Sequence, residues 1–363
     1  MRRLIAILLC ALMALSLMVA CGGDNVTDSD GYSVVLVIPG YLGDRSFFDS
    51  ANVGLMRMEA ELDGVTTRVV EMGFDSTTYF PTLMDLAESD YDFIISGNDA
   101  TEMLYEIAPQ FPEQLFILFD SGMPDAEVPP NVFSLEYAIG GASYLAGALA
   151  AMITTSDMEL ANPEPIIGVL GGMDVPGINE FIIAYIQGAL YINPDVKVIT
   201  SFSGVFNDPV LGLEIGLLQF EAGADVSFNV AGQTGMGLIN SAFESNRYII
   251  GVDSDQAMLF AETDPDNAYK IVTSVLKNLD VGIFEAVRDA INGDLEFGQH
   301  RIRTIVDGGV GIARNEFYEM VPQEFRDRIS QIEEDIMAGN IEIMSAFDMT
   351  QEEIVDFRNS VAP

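Results

Sequence analysis

The fold is indicated first by the stretch Val34-Val-Leu-Val-Ile-Pro-Gly-Tyr-Leu-Gly-Asp-Arg-Ser-Phe-Phe-Asp-Ser-Ala51. Its apolar beginning predicts a buried strand, and its amphipathic end predicts a helix from about Phe47. In open α/β sheets, ligands bind beyond the carboxyl ends of the strands, so Asp44 and Phe47 are the first candidates to face a ligand. The alternative is that Asp44 caps the helix while Phe47 and Phe48 fill the core, and this stretch alone leaves both interpretations open.

Strand and helix signals alternate outward from this stretch. The predicted strands of the first half are residues 34–39, 66–72, 92–96, 115–120 and 132–137. After a helix of small residues at 138–152, the alternation repeats, with predicted strands at 166–170, 196–202, 225–230 and 248–252. Near-continuous apolar strands are typical of parallel sheets covered by helices on both faces. We therefore predict an α/β fold of two doubly wound parallel-sheet lobes with a ligand cleft between them.

The chain divides into a leader, a tether and two lobes. Residues 1–20 predict a secretory signal peptide, and the polar residues 21–31 predict a flexible tether. The N-terminal lobe is expected at 32–137 plus about 271–307, and the C-terminal lobe at 138–270 plus about 308–363. The end of the leader, Leu17-Met-Val-Ala-Cys21, resembles the bacterial lipobox, which implies cleavage before Cys21 and lipidation of Cys21. An ordinary signal followed by an incidental cysteine is the alternative.

Composition excludes several kinds of function. The chain has 16 basic and 56 acidic residues, a formal net charge of −40, which disfavours nucleic acid and favours neutral or cationic ligands. The acidity also fits adaptation to a salty or acidic medium. Both cysteines, Cys10 and Cys21, lie in the leader, and His300 is the only histidine. We therefore predict neither thiolate nor histidine chemistry and expect His300 at the surface or a strand edge. Carboxylate-only calcium sites stay open, but no stretch has the ligand spacing of an EF-hand loop, so we expect no metal or cofactor.

Several motifs in order carry a resemblance to a known family. They are Gly168-Val-Leu-Gly-Gly-Met173, Ser203-Gly-Val-Phe-Asn-Asp-Pro-Val-Leu-Gly212, Val230-Ala-Gly-Gln-Thr-Gly235, Gly251-Val-Asp-Ser-Asp-Gln256 and Thr273-Ser-Val-Leu-Lys277. Together they closely resemble the basic membrane protein family, which are bacterial substrate-binding lipoproteins of ABC transporters that include purine nucleoside receptors. Order and spacing agree from Val34 to about Ala290. The resemblance implies the type I periplasmic-binding fold, with two lobes joined by three crossings.

The resemblance also implies a set of ligand-binding residues, which is Asp44, Phe47, Phe48, Asp120, Phe206, Gly232, Asp253 and Lys277. In nucleoside-binding members, phenylalanines at the positions of Phe47 and Phe206 stack on the two faces of the base, and stacking contributes about 1–3 kcal/mol per base. Phe48 stands where the family usually has Asn, which removes a polar contact and adds apolar surface.

Strand ends would supply the polar contacts to the ligand. The resemblance implies that Asp120 hydrogen-bonds the base and that Asp253 and Lys277 contact the ribose hydroxyls. A structural salt bridge between the lobes is the alternative for Asp253 and Lys277. Gly232 would line the pocket, allow a tight turn, or do both.

The resulting hypothesis is a lipid-anchored, extracytoplasmic substrate-binding protein of a bacterial ABC importer. It would close on a nucleoside, with a purine as the expected base, and present it to a permease and its ATPase without catalysing a reaction. We expect a monomer attached to the membrane through Cys21. The alternatives are an adhesin or sensor on the same fold, and a nucleoside hydrolase or phosphorylase.

Overall fold

A computed structural model describes residues 31–121 and 127–363. The predicted signal peptide and Cys21 lie outside the described residues. The twelve strands of the described residues are β1 (Tyr32–Ile38), β2 (Val65–Glu71), β3 (Phe93–Gly97), β4 (Leu115–Phe119), β5 (Val132–Tyr137), β6 (Ile166–Gly171), β7 (Lys197–Phe202), β8 (Val226–Val230), β9 (Tyr248–Asp253), β10 (Ile271–Lys277), β11 (Gln299–Arg303) and β12 (Val310–Ile312).

Twelve α-helices lie in the same described residues, with short 3-10 turns between some of them. They are α1 (Phe47–Glu61), α2 (Tyr79–Ala87), α3 (Thr101–Ile107), α4 (Gly140–Ile153), α5 (Pro176–Ile192), α6 (Pro209–Glu221), α7 (Gly232–Ser245), α8 (Gln256–Ala261), α9 (Pro265–Ala268), α10 (Leu279–Asn292), α11 (Gln323–Met337) and α12 (Gln351–Ser360). The last helix, α12, was not predicted from the sequence.

The first sheet has the strand order β11-β5-β4-β3-β1-β2, and all its pairs are parallel. Alternate residues of β1 face opposite sides of the sheet. Leu36 packs in a core with Leu55 of α1, and Val37 packs in a second core with Leu83 of α2. Helices therefore cover both faces of this sheet, which explains why nearly every residue of β1 is apolar.

The second sheet has the order β12-β10-β9-β8-β6-β7, and only its edge strand β12 runs antiparallel to its neighbour. The predicted α/β fold with two doubly wound, predominantly parallel sheets is thus confirmed. Helices α4 and α5 pack closely against each other in this half. A Cβ on Gly147 would lie 1.8 Å from the carbonyl oxygen of Tyr185, so only glycine permits this approach.

One strand lies in a different sheet from the one predicted. The expected return to the N-terminal lobe at about residue 271 places β10 in the first sheet, but β10 pairs with β9 and β12 in the second. The return comes after β10, where α10 packs on α1 and Arg57 lies 4.3 Å over the ring of Phe284. A strand buried on both faces has the same apolar sequence in either sheet, so its residues did not reveal its neighbours.

The chain passes between the two sheets three times. It crosses between β5 and α4, between β10 and α10, and between β11 and β12. Three crossings are the number that the family resemblance implied. They leave the carboxyl ends of β1, β3 and β4 facing those of β8, β9 and β10 across a cleft.

Asp225 places a buried carboxyl group just before β8, at the amino-terminal end of that strand and so opposite the cleft. It is fully buried, and one of its oxygens accepts a hydrogen bond of 2.7 Å from the backbone N–H of Asn162. Burial raises the pKa of Asp225 to about 6 from its ordinary value of 3.8, against the lowering effect of that hydrogen bond. Folding therefore favours the protonated form of this group.

We expect the stabilising contribution of protonated Asp225 to be present below about pH 4 and to be lost as the pH rises through about 6. Asp225→Asn cannot ionise and keeps an oxygen that can accept from Asn162. Relative to the wild type, its free energy of unfolding should rise by up to about 3 kcal/mol between pH 4 and pH 8. Urea denaturation across this range measures the difference, with the exposed Asp63→Asn as control. A constant difference between wild type and Asp225→Asn at all pH values would contradict the shift.

Candidate functional site

The cleft between the two sheets encloses a cavity of about 490 Å³. Every ligand-binding residue suggested by the sequence lines it, and these residues are Asp44, Phe47, Phe48, Asp120, Phe206, Gly232, Asp253 and Lys277. They come from strand ends and from strand-to-helix loops of both sheets. The parallel strands bring them together because their carboxyl ends share one edge of each sheet.

Asp44 performs the capping role that was one of its two interpretations. Its Oδ1 accepts hydrogen bonds from the backbone N–H groups of Ser46 and Asp49, and its Oδ2 accepts one from Phe48. These bonds satisfy donors at the start of α1. Burial raises the pKa of Asp44 to about 6, because its effect is larger than the lowering effect of these hydrogen bonds. Asp44 therefore shapes the loop as well as lining the cleft.

Phe47 and Phe48 form an aromatic corner on the first-lobe wall. Their ring centroids lie 5.3 Å apart in an edge-to-face arrangement, and the ring of Phe47 lies 5.7 Å from that of Phe119 in β4. A Cβ on Gly40 would lie 2.5 Å from the ring of Phe48. The glycine thus makes room for the ring of Phe48, which lines the cavity wall.

Lys277, at the end of β10, places an ammonium group in the cleft. Its Nζ donates to Oδ1 of Asp120 at 2.8 Å and lies 5.3 Å and 5.0 Å from the ring centroids of Phe47 and Phe181. The residue is 5% exposed. Asp120 follows β4, so the ion pair joins the two lobes. An ion pair between the lobes was one interpretation of Lys277, but the partner within 4 Å is Asp120 and not Asp253.

Asp253, at the end of β9, contacts the first loop. Its Oδ2 accepts a hydrogen bond of 2.6 Å from Oγ of Ser46. Burial raises the pKa of Asp253, and the nearby charge of Lys277 acts in the opposite direction. Its φ of +61° lies in the left-handed region, as does that of Asp120 at +50°. Both aspartates thus have a backbone conformation that is uncommon for residues other than glycine.

Phe206 and Gly232 form part of the second-lobe wall. The carbonyl oxygen of Phe206 accepts from the N–H of Thr234, which ties the loop after β7 to the start of α7. A Cβ on Gly172 would lie 2.1 Å from the ring of Phe206, so the ring rests on backbone without a side chain. The φ of Gly232 is +54°. Gly232 therefore makes the tight turn and lines the cavity, as both interpretations required.

The cavity also contains residues that the sequence analysis did not select. They are chiefly acidic or apolar, and include Asp99, Glu136, Glu180, Phe181, Tyr41, Phe74, Met173, Val175 and Phe347. Several lie just beyond strand ends, which is a signal that could have identified them. Phe347 has no such signal, because it belongs to a short 3-10 turn near the end of the chain.

His300 lies on β11, the edge strand of the first sheet, as predicted. Its Nδ1 is 3.0 Å from Oγ of Ser134 and its Nε2 is 2.9 Å from Oε2 of Glu136, which lines the cleft. Ser134 is fully buried within the sheet, so this chain of contacts does not present a nucleophile to a ligand.

Among residues 31–121 and 127–363, no three His, Cys, Asp or Glu side chains are grouped in a way that could hold a metal ion. None of the helices in these ranges is both long enough and apolar enough to cross a bilayer.

Comparison with known proteins gives consistent matches. The family Bmp, described as ABC transporter substrate-binding protein PnrA-like, matches residues 32–346. Basic membrane protein A of Borreliella burgdorferi is 28% identical over 344 residues, which cover 93% of this chain and 95% of that protein. An uncharacterized lipoprotein of Pyrococcus furiosus is 28% identical over 314 residues, which cover 83% and 75%. A solute-binding protein of an ABC transporter system from Aeropyrum pernix has a TM-score of 0.79 at 25% identity, and the match covers 91% of this chain and 99% of that chain.

Proposed function

The chain belongs to the Bmp family of PnrA-like ABC transporter substrate-binding proteins, and we propose that its cleft binds a nucleoside, with a purine as the base. Proteins of this class bind a small-molecule ligand and work with a membrane permease.

One observation carries the nucleoside assignment: Phe47 and Phe206, from opposite lobes, line the same cavity. A flat heterocycle offers a π-face to each ring, so a base between them would contact both lobes at once. The Nζ of Lys277 lies 5.3 Å from the ring centroid of Phe47 and donates to Asp120, and both residues line the cavity. An aromatic pair with a few convergent polar groups is well suited to an uncharged heterocycle.

The ribose is assigned to the end of the cleft where Asp253 and Lys277 lie. One oxygen of Asp253 is bonded to Ser46, which leaves lone pairs for the hydroxyl groups of a sugar. Lys277 carries three N–H donors, and its contact with Asp120 uses one of them. A sugar with adjacent hydroxyls can accept from the ammonium and donate to the carboxylate.

Phe48 shifts the balance from polar contacts towards apolar ones. It lines the cavity on the first-lobe wall, edge-to-face with Phe47, at a position where Asn would offer an amide to the base. We therefore propose that stacking contributes more to ligand affinity in this protein, and base-specific hydrogen bonding less.

Ligand binding by closure of two lobes requires no chemical step. The ligand would stabilise the closed arrangement because only that arrangement presents both walls to it. The permease and its ATPase would then respond to the closed form. We therefore propose binding without nucleoside hydrolysis or phosphorolysis. A hydrolase uses a carboxylate cage around calcium, and the described residues contain no such group. A phosphorylase uses cationic phosphate ligands, and among the described residues Lys277 is the one cation that lines the cavity.

We also propose that the protein is held on the outer face of a bacterial cell membrane by lipid on Cys21. The motif ending at Cys21 supports this, and one of the relatives, from Pyrococcus furiosus, is named a lipoprotein. Cys21→Ala should move the protein from the membrane fraction to the soluble fraction of the cell. Retention of Cys21→Ala in the membrane fraction would refute lipidation at this residue.

Isothermal titration with inosine, guanosine, adenosine and cytidine tests the ligand assignment. We expect heat from at least one purine nucleoside, and a loss of affinity of about tenfold or more in Phe206→Ala, because one stacking partner is removed. Leu218→Ala, on α6 and outside the cavity lining, is the matched control.

Two outcomes would contradict the proposal. Absence of heat from all four nucleosides in the wild type would refute the nucleoside assignment. Release of free base from a nucleoside after long incubation, followed by chromatography, would show that the protein is an enzyme.

A further inference from the structure

Phe347 is a large apolar side chain that stands exposed on the wall of the cleft. It lines the cavity and is 60% exposed. It belongs to the 3-10 turn Ala346–Asp348, immediately beyond residue 346, where the match to the family ends. It is thus a cleft residue contributed by the C-terminal segment of this chain rather than by the part that matches the family.

The backbone that carries Phe347 is fixed on both sides. Oε2 of Glu180, on α5, accepts from Oγ of Ser345 at 2.9 Å and from the N–H of Ala346 at 2.7 Å. Ala346 is buried in a small apolar cluster with Ile183 of α5 and Ile354 of α12. Phe347 is therefore held with its ring outward while its neighbours are buried, which differs from the disorder usual for chain ends.

The same segment holds the adjoining part of the wall. Arg358 of α12 donates from its two terminal nitrogens to Oδ1 and Oδ2 of Asp174, each at 2.9 Å. These bonds hold the pKa of Asp174 at about 2. Met173 and Val175, on either side of Asp174, are exposed and line the same cavity as Phe347.

The first lobe also contributes exposed aromatic side chains to the cavity lining. Tyr41 and Phe74 lie edge-to-face with centroids 5.5 Å apart, and both line the cavity while remaining exposed. A single exposed apolar residue needs no explanation, but here exposed apolar side chains occur on both walls of one cleft mouth.

We propose that Phe347 is a ligand-contacting residue, an aromatic cap that covers the outward side of a nucleoside in the cleft and is positioned by Glu180. The inference rests on the proposed function. Covering the ring on ligand binding removes apolar surface from water and favours the bound state. Because the carboxylate of Glu180 binds the backbone of this turn and lines the cavity, the cap favours ligands whose outward part is uncharged or cationic and disfavours a phosphate there.

The chain contains no tryptophan, so the indole introduced by Phe347→Trp is the only source of tryptophan fluorescence. We expect the emission of Phe347→Trp to shift to shorter wavelength on addition of the purine nucleoside that binds the wild type. Quenching of this emission by acrylamide should fall at least about twofold, because the ligand and the closed cleft cover the ring. Leu218→Trp, at a site that is 64% exposed on α6 and outside the cavity lining, is the control and should not respond.

Binding measurements complete the test. Phe347→Ala should bind the nucleoside about tenfold more weakly than the wild type, and Phe347→Tyr should restore most of the affinity. For the positioning role, Glu180→Ala in the Phe347→Trp background should increase acrylamide quenching without ligand. Glu180→Gln should not, because its amide oxygen can still accept from Ala346.

The outcomes separate the cap from the proposed function. Heat from a nucleoside with unchanged emission of Phe347→Trp and unchanged affinity of Phe347→Ala would overturn the cap alone. No heat from any nucleoside in the wild type would overturn the proposed function and the cap with it. A response in Leu218→Trp equal to that in Phe347→Trp would also overturn the cap, because the change would then not be local to the cleft.

Discussion

The arrangement of the two lobes depends on one buried ammonium group, that of Lys277. An ammonium removed from water is strongly destabilising unless opposite charges and π-faces surround it. Asp120 comes from the first lobe to meet it at 2.8 Å, and the rings of Phe47 and Phe181 flank it from the two lobes. The chain has only three lysines and a net charge of −40, so many carboxylates but few other ammonium groups are available to pair with one another. Polar and aromatic side chains of both lobes therefore surround this ammonium in the cleft.

Around that point, the first loop is tied to the second lobe by small polar contacts. Ser46 donates to Asp253, Ser254 donates to the carbonyl oxygen of Ser46, and the side chain of Gln256 donates to the carbonyl oxygen of Arg45. Each such bond contributes only about 1 kcal/mol because water can replace it. Single bonds of this strength can break and form again at low cost. A ligand that contacts both walls can therefore shift the equilibrium.

Much of the fold and of the cleft lining could be predicted from the sequence, for a physical reason. The run at 34–39 is apolar on both faces because helices cover both sides of its sheet, and the residues after such strands share one edge. The family resemblance implied that Asp120, Asp253 and Lys277 line the cleft, and their places at strand ends agree with it. The sequence could not indicate that Lys277 pairs with Asp120 rather than Asp253, or that β10 joins the second sheet, because both depend on contacts distant along the chain. The same reason applies to Phe347, which the sequence did not indicate. Its turn is held by Glu180, a residue far from it along the chain.

We expect the ligand to bind beside the ammonium of Lys277, and NMR of protein labelled at its lysine side chains can detect this. Three lysines give three signals, and Lys277→Arg identifies the one in the cleft. Lys197 begins β7 and Lys270 precedes β10, so both lie at amino-terminal strand ends, opposite the cleft, and serve as internal references. At saturation with a purine nucleoside, the Lys277 signal should move while the other two stay in place. A nucleoside that binds by calorimetry and leaves the Lys277 signal unmoved would contradict the account.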